Sequence, residues 1–153
     1  MKGSVADRDM RVLQVTEFRI GLDYMETRPE IDMSRVAHIG FSWGAASRAI
    51  VFNAVEPRIR SSILMGGGVW PPSRLPEVEA LNFAPRITQP TLVLTGRYDE
   101  ENPYDPFARN MHELLPPDSS RLALVDSGHL PPIELRNPII NGWLDETLGP
   151  VVR

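Results

Sequence analysis

The stretch Ile39-Gly40-Phe41-Ser42-Trp43-Gly44-Ala45-Ala46 constrains this chain more than any other. An apolar run, Val36-Ala37-His38-Ile39, leads into Gly-x-Ser-x-Gly, and small residues follow at helical spacing. That order predicts a strand, a very sharp turn and a helix. A turn so tight brings strand and helix into contact, so side chains at Gly40 and Gly44 are expected to collide with their neighbours. The same strain would lift Ser42 Oγ clear of the sheet. A five-residue pattern also arises by chance, and a Gly/Ser turn capping an ordinary helix is the bland alternative. The rest of the chain has to decide between them.

Taken in order, residues 1–8 read as a frayed lead-in. Apolar positions Val12, Val15, Phe18, Leu22 and Met25 recur three or four residues apart, which predicts an amphipathic helix over 9–27 ended by Pro29. Strands are expected at 35–41, 59–65, 91–95 and 122–125. Helices are expected at 43–53, 107–115 and 138–148. Between 69 and 90, Pro71, Pro72, Pro76, Pro85 and Pro90 interrupt any long element. Short apolar strands separated by helices predict an α/β fold, a mostly parallel sheet of about four strands flanked by helices. At 153 residues the chain is expected to form one domain spanning 1–153.

Composition removes several classes of function. Net charge is −4 with no basic cluster, so nucleic acid is an unfavoured partner, because phosphate neutralisation needs concentrated Lys and Arg. No apolar run reaches the roughly 18 residues of a membrane span, and MKGSVADRDM has no hydrophobic signal core, leaving the cytoplasm as the default location. With no cysteine, neither a thiol nucleophile nor a thiolate metal site is available. Gly66-Gly67-Gly68 follows a strand, but without Gly-x-Gly-x-x-Gly or Gly-Lys-Ser/Thr it does not make a nucleotide site.

Parallel α/β sheets carry their chemistry in the loops after the carboxyl ends of strands. Ser42 follows the first expected strand, Asp99 the third and His129 the fourth. A hydroxyl is a poor nucleophile until a base takes its proton, and that base needs a carboxylate to fix its tautomer and stabilise its charge. Of the three histidines, His38 lies within a strand and His112 on a helix, so only His129 occupies a loop after a strand. For the acid, Glu100, Glu101 and Asp105 compete with Asp99, while Asp126 reads as a loop or capping residue. Phe41, Trp43 and Trp70 either line a substrate pocket or are packing and surface aromatics.

Gly40-Phe41-Ser42-Trp43-Gly44, Gly96-Arg97-Tyr98-Asp99 and Ser127-Gly128-His129 together resemble the C-terminal part of an α/β-hydrolase, of the dienelactone-hydrolase and prolyl-oligopeptidase-like esterase kind. Leu22-Asp23-Tyr24-Met25-Glu26-Thr27-Arg28 is also similar to the helix preceding the nucleophile strand in that group. The resemblance runs from about residue 9 to residue 148. It implies a truncated α/β-hydrolase fold, with Ser42 as nucleophile, His129 as general base, Asp99 as orienting acid and Trp43 N–H as an oxyanion donor. The implied activity is hydrolysis of carboxylic esters without metal or organic cofactor; the short stretch 69–90, with little room for a large helical lid, favours small soluble esters over long-chain lipids. Peptidase or thioesterase chemistry would use the same groups.

The resemblance also marks an absence. The family's second oxyanion donor comes from a loop after an early strand, often a His-Gly-Gly-type segment, and none precedes Ser42. Losing one such donor costs on the order of 10²–10³ in rate, so a catalytically weak interaction or regulatory module is the competing expectation. The strand at 35–41 is interior in the family; here it is expected to be an edge with unpaired backbone groups. Either a second copy in a homodimer or a polypeptide carrying the missing N-terminal half is expected to pair with it, and the chain reads as a fragment of a larger hydrolase.

Overall fold

A computed structural model describes residues 3–151. Its centre is a pair of strands, β2 (Ser61–Met65) and β3 (Thr91–Gly96), buried along their whole length. Strands covered on both faces cannot alternate polar and apolar residues, which is why Ile63-Leu64-Met65 and Leu92-Val93-Leu94 read as continuous apolar runs. β1 (Ala37–Phe41) pairs parallel with β2, and β4 (Ser120–Val125) pairs parallel with β3, giving the sequential order β1-β2-β3-β4. The expected α/β architecture of four parallel strands is therefore what the chain forms.

Helices cover the sheet unequally. On one face, α2 (Ile50–Val55), the π-helical segment Gly44–Ala49 before it and α3 (Arg109–Leu114) enclose a core of Ala45, Ala49, Ile50, Leu64, Val93 and Met111. On the other, α4 (Ile133–Leu148) packs Trp143, Ile139, Ile140 and Leu144 over Ile63, Met65, Leu92 and Leu94. This second core draws on β2, β3 and β4, and leaves Ile39 and Phe41 of β1 exposed. Among the described residues, β1 has a strand neighbour on one side only.

Several boundaries differ from expectation, each for a local reason. Ser4 caps the first helix by accepting the Asp7 N–H at 3.1 Å, so α1 runs Val5–Glu26, beginning within the supposed lead-in. Residues 1 and 2 lie outside the described residues. Only Leu22 of the expected apolar face of α1 is fully buried, while Val12, Leu13 and Ile20 are exposed. β1 starts two residues late because Asp32 caps a 3₁₀ turn over Met33–Arg35. α4 begins at Ile133 and carries Pro138 in its second turn, where the missing N–H leaves the Glu134 carbonyl without its helical donor. Residues 69–90 are irregular as expected, tightened by 3₁₀ turns at Pro76–Val78, Ala80–Asn82 and Ala84–Arg86.

An ion network anchors α1. Glu56, buried after α2, accepts from Arg58 Nε and Nη2 at 2.8 Å each and from Arg19 Nε of α1 at 3.2 Å. Arg58 also donates to Asp23 of α1 at 2.6 Å. Chiefly the hydrogen bonds from Arg58 hold the Glu56 carboxyl at about 2, against an ordinary 4.5. A depressed carboxyl stabilises the fold above its ordinary value and loses that contribution as the pH falls toward the depressed one. Because solvent reaches Arg19 and Arg58, Glu56→Gln is expected to cost on the order of 1–2 kcal/mol at pH 7. In urea denaturation, the gap between wild type and variant should narrow steadily from pH 4.5 downward.

Candidate active site

Ser42 is where β1 stops and the next helix starts, and its backbone belongs to both. Its N–H donates to Met65 O at 2.8 Å, continuing the sheet, while its C=O accepts the Ala46 N–H at 2.9 Å. The reversal between those bonds puts Ser42 at φ 54°, the one non-glycine positive φ among the described residues. A left-handed residue with a Cβ costs about 1–2 kcal/mol, and such strain persists only where surrounding packing imposes it.

That packing depends on glycines, though not the pair expected. A Cβ on Gly40 would come within 2.9 Å of Ala49 Cβ and 3.0 Å of Ala45 Cα, so Gly40 does allow strand and helix to touch. Gly44 has nothing within 4 Å of such an atom, and the expected collision there does not exist. The second close approach belongs to Gly67 in the loop after β2, where a Cβ would lie 2.7 Å from Ala45 Cβ. The motif's symmetry in sequence hides this, because Gly44 faces outward from the first turn while Gly67 approaches from another strand.

Two further loops converge on Ser42. His129 Nε2 lies 2.7 Å from Ser42 Oγ, and His129 Nδ1 lies 2.9 Å from both carboxylate oxygens of Asp99. In the neutral ring, Nδ1–H donates to the carboxylate and Nε2 accepts the hydroxyl proton. The Asp99 carboxylate is buried, and its Oδ1 also accepts the backbone N–H groups of Glu101 and Asn102 at 2.9 Å each. Gly96 lets these loops meet, since a side chain there would overlap the carbonyls of Ser127 and Gly128. Tyr98 N–H and Arg97 N–H then bond across to Ser127 O and Val125 O at 2.9 and 2.8 Å.

The rival residues are elsewhere. Glu100 and Glu101 are exposed, Asp105 pairs with Arg109 at 3.0 Å, and Asp126 pairs with Arg97 at 2.8 Å on the surface. His38 packs against the stacked pair Phe18 and Phe52, with ring centroids at 5.3 and 5.9 Å, and burial lowers its pKa. His112 is on α3. Among the described residues, no group of three or more His, Cys, Asp or Glu side chains could hold a metal ion. No described helix is long and apolar enough to cross a membrane.

A cleft of about 390 Å³ opens beside Ser42, lined by Trp43, Ala46, Gly68, Trp70, Arg74 and Glu79 among others. Trp43 and Trp70 thus both border it. Phe41 lies instead against the His129 ring, centroids 5.0 Å apart, outside that lining. Sequence reasoning missed Asn102, whose buried amide donates to Gly66 O at 3.0 Å and accepts from Trp70 Nε1 at 3.2 Å. Its own N–H is held by Asp99, so one residue ties the acid's loop to the exit of β2 and to the cleft wall. The signal was an Asx turn in Asp99-Glu100-Glu101-Asn102, a carboxylate accepting N–H groups two and three residues on.

The glycine geometry yields a direct test. Gly40→Ala and Gly67→Ala are each expected to cost about 1–3 kcal/mol in thermal or urea unfolding, since backbone must shift to admit the methyl. Gly44→Ala, inside the same motif, should change stability by no more than about 0.5 kcal/mol.

No protein-family model matches the sequence, and no curated protein matches it. Solved structures do. The chain is similar to 2,6-dihydroxy-pseudo-oxynicotine hydrolase, with TM-score 0.71 and 23% identity over 90% of this chain and 48% of that one. It is similar to a cold-adapted esterase from an Arctic intertidal metagenomic library, with TM-score 0.69 and 21% identity over 88% of this chain and 58% of that one. It is also similar to the Pyrococcus furiosus esterase Pf2001, with TM-score 0.73 and 18% identity over 88% of this chain and 62% of that one. The chain therefore spans roughly half to three-fifths of the structures it matches. Its four sequentially ordered parallel strands, with helices on both faces, are a truncated α/β-hydrolase fold.

Proposed function

We propose that this chain carries the nucleophile half of a serine hydrolase that cleaves small carboxylic esters through an acyl-enzyme. The observation that carries the reading is the unbroken hydrogen-bonded line Ser42 Oγ–His129 Nε2, His129 Nδ1–Asp99, with Ser42 on a strained turn. Ser42 Oγ attacks the ester carbonyl carbon while His129 Nε2 takes the hydroxyl proton. The tetrahedral oxyanion is held by the Trp43 N–H, at the start of the helical segment where backbone donors have no intrahelical partner. Collapse expels the alcohol, which leaves with the proton from Nε2. Water then attacks the acyl-Ser42 carbonyl, giving its proton to Nε2, and the acid departs as Ser42 regains a proton. The Asp99 carboxylate keeps Nδ1 protonated and stabilises the imidazolium in both halves.

Two features bear on substrate and partner. The cleft is modest in volume and walled by two tryptophans, which suits short acyl groups over long lipid chains. The similar proteins described as hydrolase and esterases favour hydrolysis of this general kind. The open edge of β1, with Ile39 and Phe41 exposed, favours pairing with a second copy or with a polypeptide supplying the remaining strands and a second oxyanion donor. That open edge also supports the competing reading, a hydrolase-like module with little activity of its own.

Turnover of p-nitrophenyl butyrate separates the two readings. Wild type should exceed Ser42→Ala by about 10³ or more in kcat, with Asp99→Asn losing nearly as much through the wrong histidine tautomer. Equal rates for wild type and Ser42→Ala would leave only the module. Sedimentation at micromolar concentration should show association through the β1 edge; a well-folded monomer would remove the self-pairing.

A further inference from the structure

Beside the Ser42 cleft, two guanidinium groups flank one buried carboxylate, and a third lies close to the first of them. Asp7 is buried; Arg11 Nε lies 3.4 Å from its Oδ1, and Arg74 Nε lies 3.9 Å from its Oδ2. Arg48 is the third, its guanidinium carbon 3.9 Å from the centroid of the Trp43 ring. Burial and then the neighbouring Arg74 depress the Arg11 guanidinium below its usual value, with Asp7 opposing and Arg48 adding to the repulsion.

Buried cations ordinarily have matched anions and filled donors, because an unpaired charge in a poorly solvated place is costly. Here the donors are not filled. The Nε atoms of both Arg48 and Arg74 are buried without a hydrogen-bond acceptor. Glu79 is a second buried carboxylate in the same region, yet its Oε2 is taken up by the backbone N–H groups of Ser73 and Arg74 at 3.0 and 3.1 Å. No ion pair joins Glu79 to an arginine among the described residues. The three guanidinium groups together carry more positive charge than Asp7 neutralises, and Arg74 borders the cleft that Ser42 opens into, as do Trp43, Glu79 with its Oε2 engaged, and the exposed Glu101.

We propose that Arg74, with Arg11 and Arg48 nearby, receives a carboxylate of the substrate, so that the ester cleaved at Ser42 is a monoester of a short dicarboxylic acid. The inference rests on the ester-hydrolase reading above and names its substrate class. A guanidinium matches a carboxylate bidentately, and a poorly solvated one penalises a neutral acyl group by leaving its own donors unpaired. The carboxylate is a spectator in the chemistry. Water is consumed, the ester C–O bond breaks, and the products are the dicarboxylate, an alcohol and a proton released to solvent.

The test separates binding from turnover. In the Ser42→Ala protein, monomethyl succinate is expected to bind about tenfold or more tightly than dimethyl succinate by NMR titration, and Arg74→Gln added to it should abolish the difference. Arg74→Lys, which keeps the charge without the planar fork, should retain part of it. Arg48→Gln provides a second reading if Arg74→Gln does not fold, and should also weaken the preference. Equal binding of the two esters, or a preference unaffected by the arginine substitutions, would overturn the proposal. In the active protein, the ratio of kcat/KM for p-nitrophenyl hemisuccinate over p-nitrophenyl pentanoate should fall about tenfold in Arg74→Gln. An anion preference in binding with no turnover of either ester would remove the hydrolase reading and leave the anion site. Turnover without the preference would do the reverse.

Discussion

One residue carries the whole reversal between the first strand and the helix after it. Ser42 is bonded through its N–H to β2 and through its C=O to Ala46, and nothing softer separates the two bonds. The helix must therefore lie directly on the sheet, which is possible because Gly40 and Gly67 have no side chains to obstruct Ala45 and Ala49. Both alanines are fully buried, so the contact that strains Ser42 is also the centre of the larger apolar core. Burial thus holds the serine in a conformation it would not adopt alone, with its hydroxyl fixed toward one direction of approach.

The partners for that hydroxyl come from the far strands, and small residues again decide their placement. Gly96 allows the loop after β3 to lie against the loop after β4, and backbone bonds from Arg97 and Tyr98 fasten the two. Asp99 then sits with four acceptor contacts, two to His129 Nδ1 and two to backbone N–H groups. Asn102 extends this order outward to Gly66 and Trp70, so the wall of the cleft and the acid share one set of hydrogen bonds. A loosened Asn102 would disturb both.

The sheet is less finished on its other side. α4 covers three strands and stops short of β1, whose Ile39 and Phe41 face solvent beside an edge without a strand neighbour among the described residues. α1 bears exposed Leu13 and Ile20, and Arg19 and Asp23 tie it to Glu56 and Arg58. Both features agree with a chain that spans about half to three-fifths of the structures it resembles. The solid part of the molecule is the part that orients Ser42, Asp99 and His129.

The fold class and the location of the three polar residues at strand exits were legible in the chain, because continuous apolar runs and Gly-x-Ser-x-Gly encode parallel strands and a sharp turn locally. The boundaries were less so. Pro138 read as a helix start although tertiary packing of Trp143 and its neighbours carries the helix back to Ile133. Which glycine was indispensable was hidden too, since Gly44 and Gly67 differ only in what approaches them across the fold. Asn102 and the Arg11, Arg48 and Arg74 cluster draw on separated parts of the chain, and no local pattern announces them. The sequence alone determined the strands, the turn and the order Ser, Asp, His, since these depend on neighbours along the chain. Only the tertiary structure decided which of the loop acids meets His129 and what charge lies beside Ser42, since both depend on distances between residues that are remote in sequence.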